Sequence, residues 1–136
     1  MANKQVHKDA LPNYEKAVIP AEKLRDYALN PDHSGGGSDK ARVFKSVLGF
    51  EKQHWERLSS IIRARLPEYP ALKKRTTAYG EEWVVYIPVV GLNGNLAVVT
   101  TGWIYLWAEP DTPRMTNCWI QTRKQKKLKK QLGLEP

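Results

Sequence analysis

The sequence predicts an α+β fold, in which two to three N-terminal helices pack on a four-stranded antiparallel β-meander. Before residue 67, apolar residues recur at three- and four-residue intervals, as on one face of a helix. From Leu72 onward the chain is rich in alternating branched and aromatic residues, as in strands. Asn93-Gly94 separates two such segments and is a strong hairpin signal. The order of helices first and strands second therefore predicts helices packed against an antiparallel sheet.

The 136 residues are enough for one domain with a buried core. Hydrophobic residues make up 41% of the chain and five residues are tryptophan, a composition typical of globular proteins. We predict an N-terminal arm over residues 1–16, a single α+β domain over residues 17–122 and a basic C-terminal tail over residues 123–136.

Three helices are predicted from the apolar spacing and from the residues that begin or end helices. Pro20 is tolerated in a first helical turn, so a short helix follows it. Gly49 and Pro67 end the second and third helices. The predicted helices are residues 21–29, Lys40–Leu48 and Trp55–Leu66.

Four strands are predicted after the helices. The first is a polar edge strand, which Gly80 and Glu81 turn into the second. Asn93-Gly94 joins the second strand to the third, and Pro110–Pro113 turns the chain into the fourth. The predicted strands are Lys73–Tyr79, Trp83–Val90, Leu96–Ala108 and Met115–Thr122.

The segment between the first and second helices combines a histidine, three glycines and a basic helix start. The chain turns at Asn30-Pro31, because proline disfavours the helical conformation of the residue before it. Gly35–Gly37 permit positive φ angles and a close approach of the backbone to a ligand. Ser38 or Asp39 is expected to cap a helix that begins near Lys40. The free amides at that helix start suit an anion such as phosphate.

Two residues of this segment are candidate catalytic groups. His33 lies in a predicted loop and titrates near neutral pH, so it is the candidate for proton transfer. Lys40 is the candidate for stabilising negative charge at a phosphorus centre, and Arg42 for binding the same phosphate. The alternative interpretation is that His33 is a turn residue bonded to local backbone and that both cations are ordinary surface residues.

A second set of candidates lies on the predicted strands. We expect Thr101, Arg114 and Thr116 to hold phosphate or sugar in a groove lined by the helices. Trp103 or Tyr105 is the surface on which a base would stack. The alternative is that Trp103, like most aromatic residues on strands, fills the core. The predicted substrate-binding residues are therefore Arg42, Thr101, Trp103, Arg114 and Thr116.

Positive charge is concentrated at the C-terminus. Six cations and one carboxylate give residues 123–136 a net charge of +5, which leaves +3 of the total of +8 for residues 1–122. Such a segment binds nucleic acid or an acidic partner through contacts that weaken with salt, or it is a solvated terminus. Leu128 and Leu132 lie four residues apart, as in a short amphipathic helix.

Several function classes lack support in the sequence. The glycine run matches neither the Walker loop nor the GxGxxG fingerprint, and no HExxH or cysteine-histidine cluster occurs. We therefore predict no cofactor and no metal. The single cysteine, Cys118, favours a reducing compartment. No apolar run has the length of a signal peptide or a membrane span, so we expect a cytoplasmic protein with no membrane partner.

Several ordered segments resemble one bacterial domain family. They are KLRDYALNPDHSGGGSDKARVFKSVLGF, TAYGEEWVVYIPV, TTGWIYL and PRMTN, and the resemblance covers residues 17–117. That family is uncharacterised, and it occurs as a small stand-alone protein and as a terminal module of polymorphic toxins. The order of helices and strands also resembles the barnase, EndoU, colicin and RelE group of small ribonuclease toxins.

The second resemblance implies a metal-independent ribonuclease toxin that cleaves RNA and is held silent by a cognate antitoxin or immunity protein. In that reaction a base helps a ribose 2′-hydroxyl attack the neighbouring phosphate. The resemblance then implies His33 as acid or base and Lys40 and Arg42 as phosphate ligands, with the strand candidates completing the pocket. The alternative function is a non-enzymatic module that binds nucleic acid or an acidic protein through the glycine segment and the basic tail.

Overall fold

The computed structural model describes residues 5–134, and within them the chain forms four helices and one four-stranded sheet. The helices are α1 (Ala21–Lys23), which continues as a π-helical turn (Leu24–Ala28), α2 (Gly37–Leu48), α3 (Trp55–Arg65) and α4 (Gln125–Gln131). The strands are β1 (Ala71–Thr76), β2 (Gly80–Val90), β3 (Leu96–Leu106) and β4 (Pro113–Ile120). Short 3₁₀ turns lie at Tyr14–Lys16, Lys52–His54, Leu66–Glu68 and Thr122–Lys124.

The sheet is an antiparallel meander with the strand order β1-β2-β3-β4, which confirms the predicted α+β class and the four strands. β2 and β3 pair over their full length, from Gly80 opposite Leu106 to Val90 opposite Leu96. β1 and β4 form the two edges. Val18 adds a single parallel bridge to Arg114 at the outer side of β4. The N-terminal extended segment therefore covers one end of that edge.

The main core lies between the helices and one face of the sheet, which we call the inner face. Phe44 and Leu48 of α2 and Leu58 and Ile62 of α3 are fully buried there. The sheet contributes alternate residues such as Val85 to the same cluster, because successive strand residues point to opposite faces. Burial of each such side chain stabilises the fold by about 1.5–3 kcal/mol relative to leaving it in water.

The opposite, outer face of the sheet carries rows of residues that pair across β2, β3 and β4. Tyr86, Thr100 and Trp119 form one row, and Gly102 lies between Val84 and Asn117 in the next row. The N-terminal helices leave this face uncovered, since they pack on the inner face. α4 packs against part of this face, where Val98 and Thr100 of β3 are 0% and 1% exposed, so a ligand reaches only flanking residues such as Tyr86 and Trp119.

The segment predicted as a basic tail is instead structured and attached to the sheet. α4 packs against β3, and its Leu128 is only 4% exposed although it lies outside the main core cluster. The fold thus has a helix after the strands as well as the helices before them. The short apolar spacing of Leu128 and Leu132 was the sequence signal for this helix.

The part of the predicted N-terminal arm that lies within residues 5–134 is also attached to the domain. Leu11 is fully buried. The Ala71 amide donates to the Asp9 carbonyl at 2.8 Å, and the Tyr105 hydroxyl donates to the Pro12 carbonyl at 2.5 Å. Residues 1–4 lie outside the described residues.

The helix start near the glycine run differs from the prediction. α2 begins at Gly37, its N-cap residue is Gly36, and no side chain caps it, so the expected caps at Ser38 or Asp39 are wrong. None of Gly35–Gly37 has a positive φ angle. Gly37 is needed for space instead, because a Cβ there would lie 2.6 Å from the Tyr27 carbonyl oxygen.

Two strands are shifted from their predicted bounds by local pairing. β1 ends at Thr76, because the Thr77 side chain bonds the Tyr79 and Gly80 amides and forms the turn. β4 begins at Pro113, where the chain pairs with Val18. No helix within residues 5–134 is both long enough and apolar enough to cross a bilayer.

Candidate nucleic-acid interface

His33 is held in its turn by the backbone. The Gly35 amide donates to its Nδ1 at 2.9 Å, and the ring lies edge-on to Tyr27 with 4.7 Å between centroids. Because Nδ1 accepts a hydrogen bond, the neutral imidazole carries its proton on Nε2. In this state His33 has a donor to offer a ligand but no free lone pair, which is the geometry of a turn residue bonded to local backbone.

Lys40 lies at the outer edge of β4 between two aromatic rings. Its Nζ donates to the Tyr27 hydroxyl at 3.1 Å and lies 4.6 Å from the Tyr27 ring centroid and 5.5 Å from the Trp119 ring centroid. His33 and Lys40 therefore meet on one tyrosine, as the two candidate catalytic groups would require. The aromatic contacts fix the ammonium group in place without neutralising it.

Arg42 lies on a different side of α2 from Lys40. Residues two apart in a helix point about 200° apart around its axis. The Arg42 side chain is exposed and pairs with Asp39 at 3.1 Å. The structure therefore does not bring the two predicted phosphate ligands together.

Thr101 and Trp103 belong to the inner face, and both are 0% exposed. The Thr101 hydroxyl donates to the Val85 carbonyl at 2.7 Å and accepts from the Trp103 indole at 2.8 Å. Neither side chain is within reach of a ligand, so we leave both out of the candidate interface. Their polar groups satisfy one another inside the core.

Arg114 and Thr116 lie on the outer face, on β4. Arg114 pairs with Ile104 in the sheet register and forms an ion pair with Glu109 at 3.0 Å. Thr116 is the extra residue of a β-bulge and is exposed. Its hydroxyl would lie 2.9 Å from a Cβ at Gly102, so the glycine leaves room for it at the centre of the outer face.

An aromatic row that the sequence analysis missed lies beside these residues. Tyr86 and Trp119 flank the buried Thr100 in one register row, and both rings are partly exposed. The Gln121 side chain donates to the Thr100 hydroxyl at 2.7 Å and closes the row at its end. Strand alternation was the available signal, because it separates Tyr86 from its apolar neighbours Val85 and Ile87.

α4 adjoins this row and is fixed there by hydrogen bonds. The Gln125 carboxamide accepts from the Val98 amide at 2.7 Å and donates to the Val98 carbonyl at 3.0 Å. Together with the buried Leu128, these bonds hold the helix and the turn before it against the sheet. The helical segment presents its six cations from a fixed backbone: Arg123, Lys124, Lys126, Lys127, Lys129 and Lys130.

The cationic segment carries a dense run of cations that form no ion pair with the described residues. Within residues 5–134, none of its six cations forms an ion pair. The ion pairs that do occur involve cations elsewhere: Arg25, Arg42, Lys45, Arg65, Lys73, Arg75 and Arg114. Other cations without an ion pair within residues 5–134, such as Lys8, Lys52 and Arg57, are scattered along the chain, so the densest run of unpaired positive charge adjoins the aromatic row.

The cysteine of β4 does not supply a nucleophile to this surface. Burial raises the pKa of the Cys118 thiol to about 12, and the nearby Lys40 ammonium opposes only part of the rise. The side chain is on the inner face, opposite Thr101. Among residues 5–134, no group of three or more histidine, cysteine or acidic side chains is placed to hold a metal ion.

Comparison with known proteins gives one match. A family described as a domain of unknown function, DUF6883, matches residues 10–122. No curated protein and no solved structure matches the chain. The matched region contains α1 to α3, the sheet and the aromatic row, and it ends just before the cationic segment that includes α4.

Proposed function

The chain belongs to the DUF6883 family of domains of unknown function, and we propose that it is a non-enzymatic module that binds single-stranded RNA. The proposed interface consists of the outer sheet face and the cationic segment 123–130. The observation that carries the proposal is the position of six cations, none of them in an ion pair with any of residues 5–134, on a docked helical segment beside the row of Tyr86 and Trp119. Cations beside partly exposed aromatic rings are the two parts that single-strand binding surfaces combine.

The cations supply affinity for the phosphate backbone. Each phosphate that a lysine neutralises releases a counterion. For a single strand, each such contact therefore lowers the logarithm of the binding constant by about 0.7 for every tenfold rise in salt concentration. Lys40 adds one more fixed positive charge at the edge of β4. Affinity from these contacts does not depend on RNA sequence.

The aromatic row favours a single strand over a duplex. Bases stack on aromatic side chains only when they are unpaired, and each stacked base contributes about 1–3 kcal/mol. The exposed hydroxyl of Thr116 and the Asn117 side chain lie beside the row and offer hydrogen bonds to a base or a ribose. The Asn117 Oδ1 atom is buried and has no hydrogen-bond partner among the described residues, so only the rest of that side chain can meet a ligand without rearrangement.

Fluorescence anisotropy with a short labelled single-stranded RNA tests the proposal. Replacing Lys126, Lys127 and Lys130 together by glutamine should lower the magnitude of the salt slope by about 2, since three contacts of about 0.7 are removed. The control removes the same charge from Arg42, Lys45 and Lys52, which lie in and beside α2. An equal loss of RNA affinity in both variants would mean that only the net charge of the protein matters. Unchanged affinity in the first variant would exclude the proposed interface.

Stacking is tested separately from charge. Trp119→Leu and Tyr86→Leu should each weaken RNA binding by about tenfold, because stacking of one base contributes about 1–3 kcal/mol. Trp107→Leu is the control, since that indole is 53% exposed but lies away from the row. A duplex competitor should displace the RNA poorly, whereas an acidic peptide that competes as well as RNA would identify a protein partner instead.

A metal-independent ribonuclease toxin is the second candidate function. The contact of both His33 and Lys40 with Tyr27 supports it. In this mechanism the 2′-oxygen attacks phosphorus, its proton passes to a base, and the 5′-oxygen leaves with a proton from an acid. For His33 to act as the base, its bond with the Gly35 amide must open.

Expression in bacteria tests the second candidate. Growth arrest with RNA cleavage is expected, and His33→Ala and Lys40→Ala should each abolish both while the circular dichroism spectrum is unchanged. Arg42→Ala is the control, because that side chain points away from Tyr27. A small adjacent gene whose product restores growth would supply the antitoxin or immunity protein. Toxicity that persists in both variants would remove this mechanism.

A further inference from the structure

A cavity of about 320 Å³ lies between the chain that follows α1, the side of α2 that carries Arg42 and Lys45, and the Lys52–His54 turn. Its floor is apolar: Leu29 is 1% exposed and Ala41 is 4% exposed. Pro31 adds a further apolar wall. The volume is at the lower end of the range for small-molecule sites, which begins at about 300 Å³.

The rim of this cavity is mostly cationic. Arg42, Lys45 and Lys52 line it, with Glu51 as the one carboxylate in the lining. Lys45 is 3.4 Å from Glu51, while Lys52 forms no ion pair within residues 5–134. Arg42 also pairs with Asp39 at 3.1 Å, so the three cations and two carboxylates give the rim a net charge of +1 around an apolar floor.

The start of α2 adds to the positive potential. Ser38 in its first turn lines the cavity, and no side chain bonds the first amides of the helix from the N-cap position. Free amides at the start of a 12-residue helix carry partial positive charge. Helix start and cationic side chains therefore favour the same sign of ligand charge.

From this combination we propose that the cavity binds a small organic anion with an apolar body and a single phosphate, sulfonate or carboxylate group. The apolar body fits over Leu29 and Ala41, and the anionic group meets the cations at the rim. The site is independent of the RNA interface, because Lys40 and Arg42 leave α2 on different sides. An apolar floor with few polar groups at its edge is the common form of small-molecule sites.

Two fluorescent probes that share an aromatic body separate the charge from the apolar contribution. Anilinonaphthalene sulfonate is the anion and phenylnaphthylamine is its uncharged counterpart. We expect saturable binding of the anion to the folded protein, with the uncharged probe bound about tenfold more weakly because charge-assisted contacts contribute about 1.5–3 kcal/mol. Equal affinity of the two probes would overturn the proposal. Nuclear magnetic resonance should show the anion shifting the backbone amides of Leu29 and Ala41, and shifts confined to other regions would also overturn it.

The two triple variants of the RNA experiment also test the cavity, and here the variant in and beside α2 is the test and the α4 variant is the control. Replacing Arg42, Lys45 and Lys52 by glutamine should weaken the sulfonate probe by about tenfold or more, since its charge-assisted contacts are lost. Replacing Lys126, Lys127 and Lys130 should leave the probe affinity within about twofold, because surface charges beyond a Debye length are screened. Undiminished probe binding in the cavity variant refutes the site, whatever the RNA result. RNA binding without probe binding, or the reverse, distinguishes failure of one proposal from failure of the other.

Discussion

The Gln125 carboxamide bonds both backbone groups of Val98, accepting from its amide at 2.7 Å and donating to its carbonyl at 3.0 Å. β4 ends at Ile120, which pairs with Val99, so no residue of β4 is opposite Val98. A side chain of α4 thus takes the place of a strand residue at the edge of β3. This contact attaches the basic segment to the sheet.

Gln125→Ala should detach α4 without changing the charge of the protein. The Val98 amide and carbonyl then lose their partners, which costs about 1–3 kcal/mol where they stay buried. We expect a lower unfolding free energy in urea, loss of amide protection in α4, and weaker RNA binding because the cations are no longer held in place. Gln131→Ala, at an exposed position of the same helix, is the control. Unchanged RNA affinity in Gln125→Ala would mean that the segment binds as a flexible polycation.

Gly37→Ala should destabilise the protein by about 1–3 kcal/mol, since the new methyl group overpacks a rigid site. Its Cβ would lie 2.6 Å from the Tyr27 carbonyl oxygen and 2.9 Å from Cγ of His33. Gly36→Ala is the matched control, because its Cβ would meet only the end of the Tyr27 side chain at 3.3 Å. Thermal unfolding compares the two. A similar change in both variants would show that space at residue 37 does not limit the turn.

Thr101→Val should destabilise the core by about 1–3 kcal/mol and leave RNA binding unchanged. The substitution keeps the shape but removes the acceptor of the Trp103 indole and the donor to the Val85 carbonyl. Thr116→Val, on the exposed bulge, should change the unfolding free energy by less than about 0.5 kcal/mol. Urea unfolding and anisotropy measure the two effects. Weaker RNA binding by folded Thr101→Val would return this residue to the list of binding residues.

Cys118 should make stability fall with rising pH. Burial raises the pKa of its thiol from an ordinary value of 9.0 to about 12 in the folded state. The unfolded chain therefore loses this proton at lower pH than the folded one. The stabilisation is complete below pH 9 and is lost as the pH rises toward 12.

Comparison with Cys118→Ala isolates that effect, because the other alkaline titrations occur in both proteins. Burial also raises the pKa of Tyr105, and this contribution cancels in the comparison. The difference in unfolding free energy between wild type and Cys118→Ala should shrink over this pH range. A difference that is constant with pH would contradict the raised thiol pKa. The native thiol should also react slowly with Ellman's reagent near neutral pH, since the thiolate is the reactive form.

Local patterns predicted most of the architecture. The helical spacing around Trp55 and the hairpin at Asn93-Gly94 depend on residues close in sequence, and the structure confirms both elements. The start of α2 was predicted less well, because it depends on how Gly37 packs against Tyr27 and His33. Packing between separate segments leaves little trace in local sequence patterns.

The candidate interface was predicted only in part. Arg114 and Thr116 do lie on an accessible face of the sheet, but Thr101 and Trp103 lie on the buried one. Every second residue of a strand points to the same face, so the pattern separates the two sets without saying which face the helices cover. β3 is apolar along both faces, and for that reason its composition did not distinguish them.

By itself, the sequence determined the α+β class, the four strands and the concentration of positive charge near the C-terminus, since each follows from residue type and short-range spacing. Tertiary structure decided which sheet face the N-terminal helices cover, that Lys40 meets Trp119 while Arg42 lines a separate cavity, and that the basic segment docks on β3. These relationships join residues far apart in the chain, and they arise only when the N-terminal helices bury one face of the sheet and α4 covers part of the other.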